Sequence, residues 1–419
     1  MNAALQPVAP GTGLTDLRGA SRMAVDAVKG ITDLVEDMHR NIAAGSSVVG
    51  KAPQGRTGGV TGLVYGSVRG VTHAVGFGID LALASLAPLL GRAVSSPHRE
   101  AILAALNGVL GDYLAATVNP LAIEMCLRRA GQTLDLTQPA LALAMPKARK
   151  GLLVLVHGLC MNDLQWNRAG HDHGAALAEE LDATAVYLHY NSGMHISLNG
   201  RAFAGVLDEL VRAWPVPVTE LTIVGHSMGG LVTRSAVSQA SAARLAWPAL
   251  LGSMVFLGTP HHGAPLERAG NRANFYIGIS PYTAPFTRLG GVRSAGIRDL
   301  RHGNLQDCDW QGLSADSARD ARVPVTLPKG VKCFAIAATK RAQAQSLTAR
   351  LPGDGLVPVA SALGQHADPR FALRFPASRT HIAFGADHFD LLSSAEVGAV
   401  LRAWLRPARP ARQADIARK

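Results

Sequence analysis

The stretch that decides the fold is Leu221-Thr-Ile-Val-Gly-His-Ser-Met-Gly-Gly-Leu-Val-Thr-Arg-Ser-Ala236. Leu221 to Val224 read as a short buried strand that runs straight into Gly225-His226-Ser227-Met228-Gly229, a match to G-x-S-x-G. The bare pattern is weak, since in a glycine-rich chain chance supplies roughly a quarter of such a match. Its context gives it content, because Gly229 to Ala236 continues as a helix with small residues facing the sheet. A strand that turns sharply into a helix lifts the serine hydroxyl above the sheet edge, and the flanking glycines avoid clashes in that turn. Ser227 at a helix start also aims the Met228 amide at an oxyanion.

The surrounding sequence repeats this grammar from Gly151 onward. Apolar runs bounded by glycine fall at Leu152–Val156, Ala185–His189, Leu221–Val224, Ser253–Leu257, Val331–Ala337 and His381–Phe384. Helical spacing lies between them at Gly174–Leu181, Ala202–Ala213 and Gly229–Ala240. Unbroken apolar strands alternating with helices are the mark of a parallel sheet buried on both faces, so a doubly wound α/β fold is expected. A capping-box pattern, Ser393-Ser-Ala-Glu396, opens a closing helix through Leu405.

A serine that attacks an acyl group needs a base, an acid and a second oxyanion donor. The loop Val156-His-Gly-Leu-Cys160 leaves the first strand of the sheet, and the Leu159 amide is the expected donor beside that of Met228; His157 is read as a brace for the loop. In this fold the acid and base follow the serine in the order Ser, Asp, His. Asp354, between two glycines on a loop past a strand, is the expected acid, and His388 in the loop after the last strand is the expected base. His381 is the rival base, but it reads as a strand residue; Asp387 and Asp390 are read as solvated surface groups, with a rival acid or an electrostatic role for the loop as alternatives. The neighbours His261 and His262 have no spaced carboxylate or cysteine partner, so a structural role is expected and no metal.

Residues from about 150 to 405 resemble the lipase branch of the α/β-hydrolase fold, particularly the GPI inositol-deacylase-like lipases. The resemblance rests on VHGLCMND (156–163), IVGHSMGGL (223–231), FLGTPHHGAPLE (256–267), GDGLVP (353–358) and GADHFDLL (385–392). It implies Ser227 as nucleophile, Asp354 as acid, His388 as base, and Leu159 with Met228 as oxyanion donors. It implies a serine carboxylester hydrolase, esterase or lipase, on an ester or lipid substrate; no nucleotide or flavin fingerprint appears in the sequence, so no cofactor is expected. An acyltransferase or thioesterase with the same triad, or a silent membrane- or granule-binding protein, are the alternatives.

The flanks are divided by composition. Residues 1–57 form a helical or flexible segment with an amphipathic stretch from Ser21 to Ile42; 58–145 form an apolar, glycine-rich helical region; 146–407 form the catalytic domain. A lid is expected at about 263–328, around the aromatic run Asn274–Phe286, and a basic tail at 408–419. Helices are expected at Glu100–Ala116 and Leu121–Ala130. Gly58–Leu90, with Gly62, Gly66 and Gly70 four apart, is read as a buried helical cap, with a lipid-interface or partner-binding hairpin, or a membrane span at Val71–Leu90, as its alternatives.

With 48% apolar and 17% charged residues the chain is no disordered protein. The net charge of +11 is read as compositional, and no nucleic-acid partner is expected. Four scattered cysteines and no apolar secretory start make a cytoplasmic location the default.

Overall fold

The computed structural model describes residues 16–26, 96–264, 294–312, 320, 322–342 and 353–406. Contacts divide the chain into two units, one holding Pro97–Tyr113 with everything from Ile123 onward, the other Ala9–Ser96 with Leu114–Ala122. The first is built on a sheet of eight strands: β1 (Cys126–Arg129), β2 (Gln132–Thr133), β3 (Gly151–Val156), β4 (Ala183–His189), β5 (Glu220–His226), β6 (Leu251–Leu257), β7 (Lys332–Thr339) and β8 (Thr380–Phe384). Their order is β2-β1-β4-β3-β5-β6-β7-β8, parallel from β4 to β8, with β1 antiparallel to both of its neighbours.

Strand pleating sorts consecutive residues onto opposite faces, and both faces are covered. Leu152, Val154 and Val156 of β3 join a core with Phe203, Leu207 and Leu210 of helix α3 (Ile196–Ala213) and Leu231 and Val232 of α4 (Met228–Ala242). Leu153 and Leu155, one residue out of phase, meet Leu177 of α2 (His173–Glu180) and Val397 and Leu401 of α5 (Ala395–Leu405) on the other side. Burying one such Leu or Phe side chain contributes about 2 kcal/mol, so the unbroken apolar strands of the sequence are a direct consequence of having helices on both faces.

One expectation fails in this unit. Leu121–Ala130 is not helical: it ends in strand β1, which turns back through Ala130 and Gly131, both at positive φ, into β2. The turn and the pairing of Leu127 with Leu188 on β4 override the helical spacing, and Arg128 finds Glu100 and Asp163 as ion partners. Helix α1 (Pro97–Ala116) starts three residues before the expected Glu100, with proline in its first turn.

In the second unit, residues 16–26 are helical, and Asn119 ties this helix to the chain following α1 by donating to the Gly19 carbonyl at 3.1 Å while its Oδ1 accepts from Leu121. The expected cap at Gly58–Leu90, most of the Ser21–Ile42 helix, the run Asn274–Phe286 and the basic tail lie outside the described residues. Among the described residues no helix is long and apolar enough to cross a membrane.

Candidate active site

Ser227 joins β5 to α4 at φ 53° and ψ −125°, a backbone conformation that non-glycine residues adopt at a cost of about 1–3 kcal/mol. Its amide donates to the Leu257 carbonyl of β6 at 2.8 Å, which fixes the turn against the next strand. Glycine at 229 is a steric requirement, because a Cβ there would stand 2.2 Å from the Val156 carbonyl oxygen of β3. The sharp turn leaves the Met228 amide at the first position of α4, and it has no acceptor among the described residues. The Leu159 amide, in the loop after β3, is likewise without an acceptor there.

His157 braces that loop, as its sequence position implied. Its Nδ1–H donates to the Gly158 carbonyl at 2.8 Å, its ring stacks on Tyr190, and Tyr190 in turn donates to the His157 carbonyl at 2.8 Å. Complete burial pushes the His157 pKa down to about 3, so the ring is neutral. Cys160, next to the expected oxyanion donor, is no rival nucleophile, since burial raises its thiol to about 12.

Asp354 and His388 lie 34 positions apart in the chain and meet at the carboxyl edge of the sheet. His388 Nδ1–H donates to Asp354 Oδ2 at 2.7 Å, both side chains being buried. Asp354 Oδ1 accepts from the amides of Leu356 and Val357, each at 2.8 Å. Burial alone would raise the Asp354 pKa, but the His388 charge and hydrogen bond, with these two amides, hold it below the usual carboxylate range. With Nδ1 committed as donor, His388 Nε2 is the nitrogen that carries the lone pair. The His388 ring packs on Gly258, the residue that follows Leu257, so the imidazole and Ser227 flank the same pair of strand ends. Ser227 Oγ makes no hydrogen bond among the described residues; in serine hydrolases that bond to the base commonly tightens only with substrate.

The loop bearing His388 is cross-linked by the two aspartates beside it. Asp387 Oδ1 accepts from the amides of Phe389 and Asp390, and Asp390 Oδ2 accepts from the amide of Asp387. Both aspartates shape the turn that presents the imidazole. His381 stands elsewhere, on β8, paired with Glu396 at 2.8 Å. His261 is buried edge-on to Phe256, and the His262 amide donates to Ser361. Among the described residues no three His, Cys, Asp or Glu side chains come together as a metal site. A groove of about 680 Å³ beside β4 is lined by Arg129, Lys147, Arg149 and Glu179 and contains none of the groups above.

His226, the variable position of the G-x-S-x-G pattern, has a part the sequence did not reveal. Its Nε2–H donates to the His388 carbonyl at 3.2 Å across 162 positions, with the two rings 4.8 Å apart. Burial keeps the His226 pKa well below its usual value, so it holds the loop as a neutral donor. Replacing it by His226→Phe keeps a ring but removes the donor. The expected result is about a tenfold fall in kcat with KM unchanged, the equivalent of one hydrogen bond, and an unchanged kcat in a folded variant would contradict this part.

A strained serine elbow at the carboxyl edge of a mostly parallel sheet, with the other chemistry-bearing loops on the same rim, defines the α/β-hydrolase fold of the lipase and esterase type. In keeping with the resemblance carried by the motifs, residues 152–332, less than half of the chain, match the family model of the PGAP1-like alpha/beta domain. A triacylglycerol lipase of Burkholderia plantarii is 28% identical over 148 residues, which make up 34% of this chain. The match spans only 39% of that lipase. Similar solved structures include an esterase of Pyrococcus furiosus, 13% identical with a TM-score of 0.35, covering 62% of this chain and 83% of that one. Another is phospholipase PlaB of Legionella pneumophila, 16% identical with a TM-score of 0.33, covering 51% of this chain and 45% of that one.

Proposed function

We propose that the protein is a serine carboxylester hydrolase acting on ester or lipid substrates through an acyl-enzyme on Ser227. The observation that carries this reading is the buried Asp354–His388 pair, which leaves one imidazole nitrogen free on the rim that also holds the strained Ser227 turn. Ser227 Oγ attacks the ester carbonyl carbon while its proton passes to His388 Nε2. The carbonyl electrons move onto oxygen, and the resulting oxyanion accepts from the Leu159 and Met228 amides, which have no other acceptor among the described residues. The C–O bond to the alcohol then breaks, and the alcohol leaves with the proton held by His388. Water repeats the sequence on the acyl-enzyme, releasing the acid and restoring the Ser227 hydroxyl. Asp354 holds His388 in the tautomer this requires and offsets the charge of the imidazolium.

The test is labelling with an alkyl fluorophosphonate, followed by peptide mass mapping and a series of p-nitrophenyl esters of rising chain length. The expected result is one adduct per chain, on the peptide containing Ser227, with turnover of at least part of the ester series. A folded protein that takes up no probe would overturn the proposal.

A further inference from the structure

We propose that Ser192 and Gly108 are positioning residues for the oxyanion site: together they fix the turn from Gly158 to Met161 so that the Leu159 amide stays aimed to donate. The proposal rests on the acyl-transfer reading above and extends it to the segment preceding residue 152, where the family match begins.

The last two amides of the turn are held. Met161 N–H donates to the Gly158 carbonyl at 3.3 Å, and Cys160 N–H donates to Ser192 Oγ at 3.0 Å. Cys160 itself sits at φ 60°, the third position of a turn that normally calls for glycine or asparagine. A cysteine persists there only if its surroundings over-determine the conformation. Without the Ser192 acceptor, the peptide between Leu159 and Cys160 has no partner to stop it from rotating, and the direction of the neighbouring Leu159 N–H becomes free to vary.

Ser192 is in turn clamped. It is buried in the turn after β4, where Asn191 Nδ2 donates to the Gly111 carbonyl of α1 at 2.9 Å and the Gly193 carbonyl accepts from the Gly296 amide at 2.9 Å. Helix α1 is fastened on the other side as well, since Ser294 Oγ donates to the Gly108 carbonyl at 2.6 Å and the Ala295 amide donates to Asp112 Oδ2 at 2.8 Å. It also closes directly on the 158–161 turn. A Cβ at Gly108 would stand 2.9 Å from both the nitrogen and the Cα of Cys160, which are backbone atoms with nowhere to move. Gly108 and Gly111, three apart on one helical face, are thus what lets α1 close down on the two turns at once.

The experiment uses the full chain, with active sites titrated by fluorophosphonate so that every rate is per competent site. Ser192→Ala is expected to lower kcat about 10- to 100-fold on a p-nitrophenyl ester with KM within twofold, because an oxyanion donor acts on the transition state. Affinity for a trifluoromethyl ketone, whose adduct with a serine carries the same oxyanion, should fall by the same factor as kcat/KM. Ser192→Thr, which keeps the hydroxyl, should recover most of the loss. Gly108→Ala provides a second, independent route to the same turn, with the same loss of kcat and ketone affinity expected. A merely structural role would lower the melting temperature and the titrated fraction and leave kcat per site and ketone affinity alone; that result in either variant overturns the proposal. Should the wild type itself neither label nor turn over ester, the acyl-transfer reading fails, and the two failures are distinguishable.

Discussion

Ser227→Ala is expected to lower kcat/KM on a p-nitrophenyl ester by about 10⁴- to 10⁶-fold, the loss typical when the nucleophile of such a triad is removed. The site offers nothing to replace it. The neighbouring thiol of Cys160 is half-buried and desolvation raises its pKa to about 12, so it cannot supply a thiolate at neutral pH. Thr259, two residues past the end of β6, is fully buried, and its hydroxyl has no acceptor among the described residues. Stability should change little, since the substitution leaves the Ser227 amide bonded to Leu257 and exchanges one positive-φ side chain for a smaller one. The measurement is therefore steady-state turnover beside a melting curve. Activity within tenfold of wild type in a variant that melts normally would remove Ser227 from the chemistry and with it the acyl-enzyme.

How far the sequence discloses this site depends on how far apart the interacting residues are. The five strands from β3 to β7 are legible because burial on both faces makes each an apolar run, the half-buried edge strand β8 shows only as a short run at its end, and all six appear within a few residues of where the runs lie. The elbow is legible for a local reason, the glycines that its turn needs. Asp354 and His388 are placed by their position after strand ends, which also separates His388 from His381, a residue the sheet itself contains. What stays illegible is whatever depends on partners far along the chain. Leu121–Ala130 has helical spacing, and only the pairing of Leu127 with β4 makes it end in a strand. Helix α3 begins at Ile196, ahead of the apolar spacing that starts at Ala202, because Asp299, 103 positions away, accepts the Ile196 amide. Ser192 and His226 carry no pattern at all, since their partners stand 32 and 162 positions off.

Asp354→Asn is expected to cost about 10⁴-fold in kcat while leaving the fold intact, and the reason lies in counting donors. Three donors converge on this carboxylate: the amides of Leu356 and Val357 on Oδ1 and the imidazole N–H of His388 on Oδ2. A carboxamide has a single acceptor oxygen. If that oxygen serves the two backbone amides, the –NH₂ faces His388 and selects the tautomer with the proton on Nε2, which cannot take a proton from Ser227. If it serves His388, the –NH₂ is driven against two backbone N–H groups. The same carboxylate gives a second readout. Because the native Asp354 pKa lies below its ordinary value, the unfolded chain binds a proton at higher pH than the native one does. The stability this contributes is present above about pH 4, the ordinary range of an aspartate, and is lost as pH falls through the lower native value. Urea midpoints of wild type and Asp354→Asn should therefore be furthest apart near neutrality and converge on acidification. A gap that stays constant or widens as the pH drops would mean that Asp354 is not the ionised partner of His388, whatever the variant does to the rate.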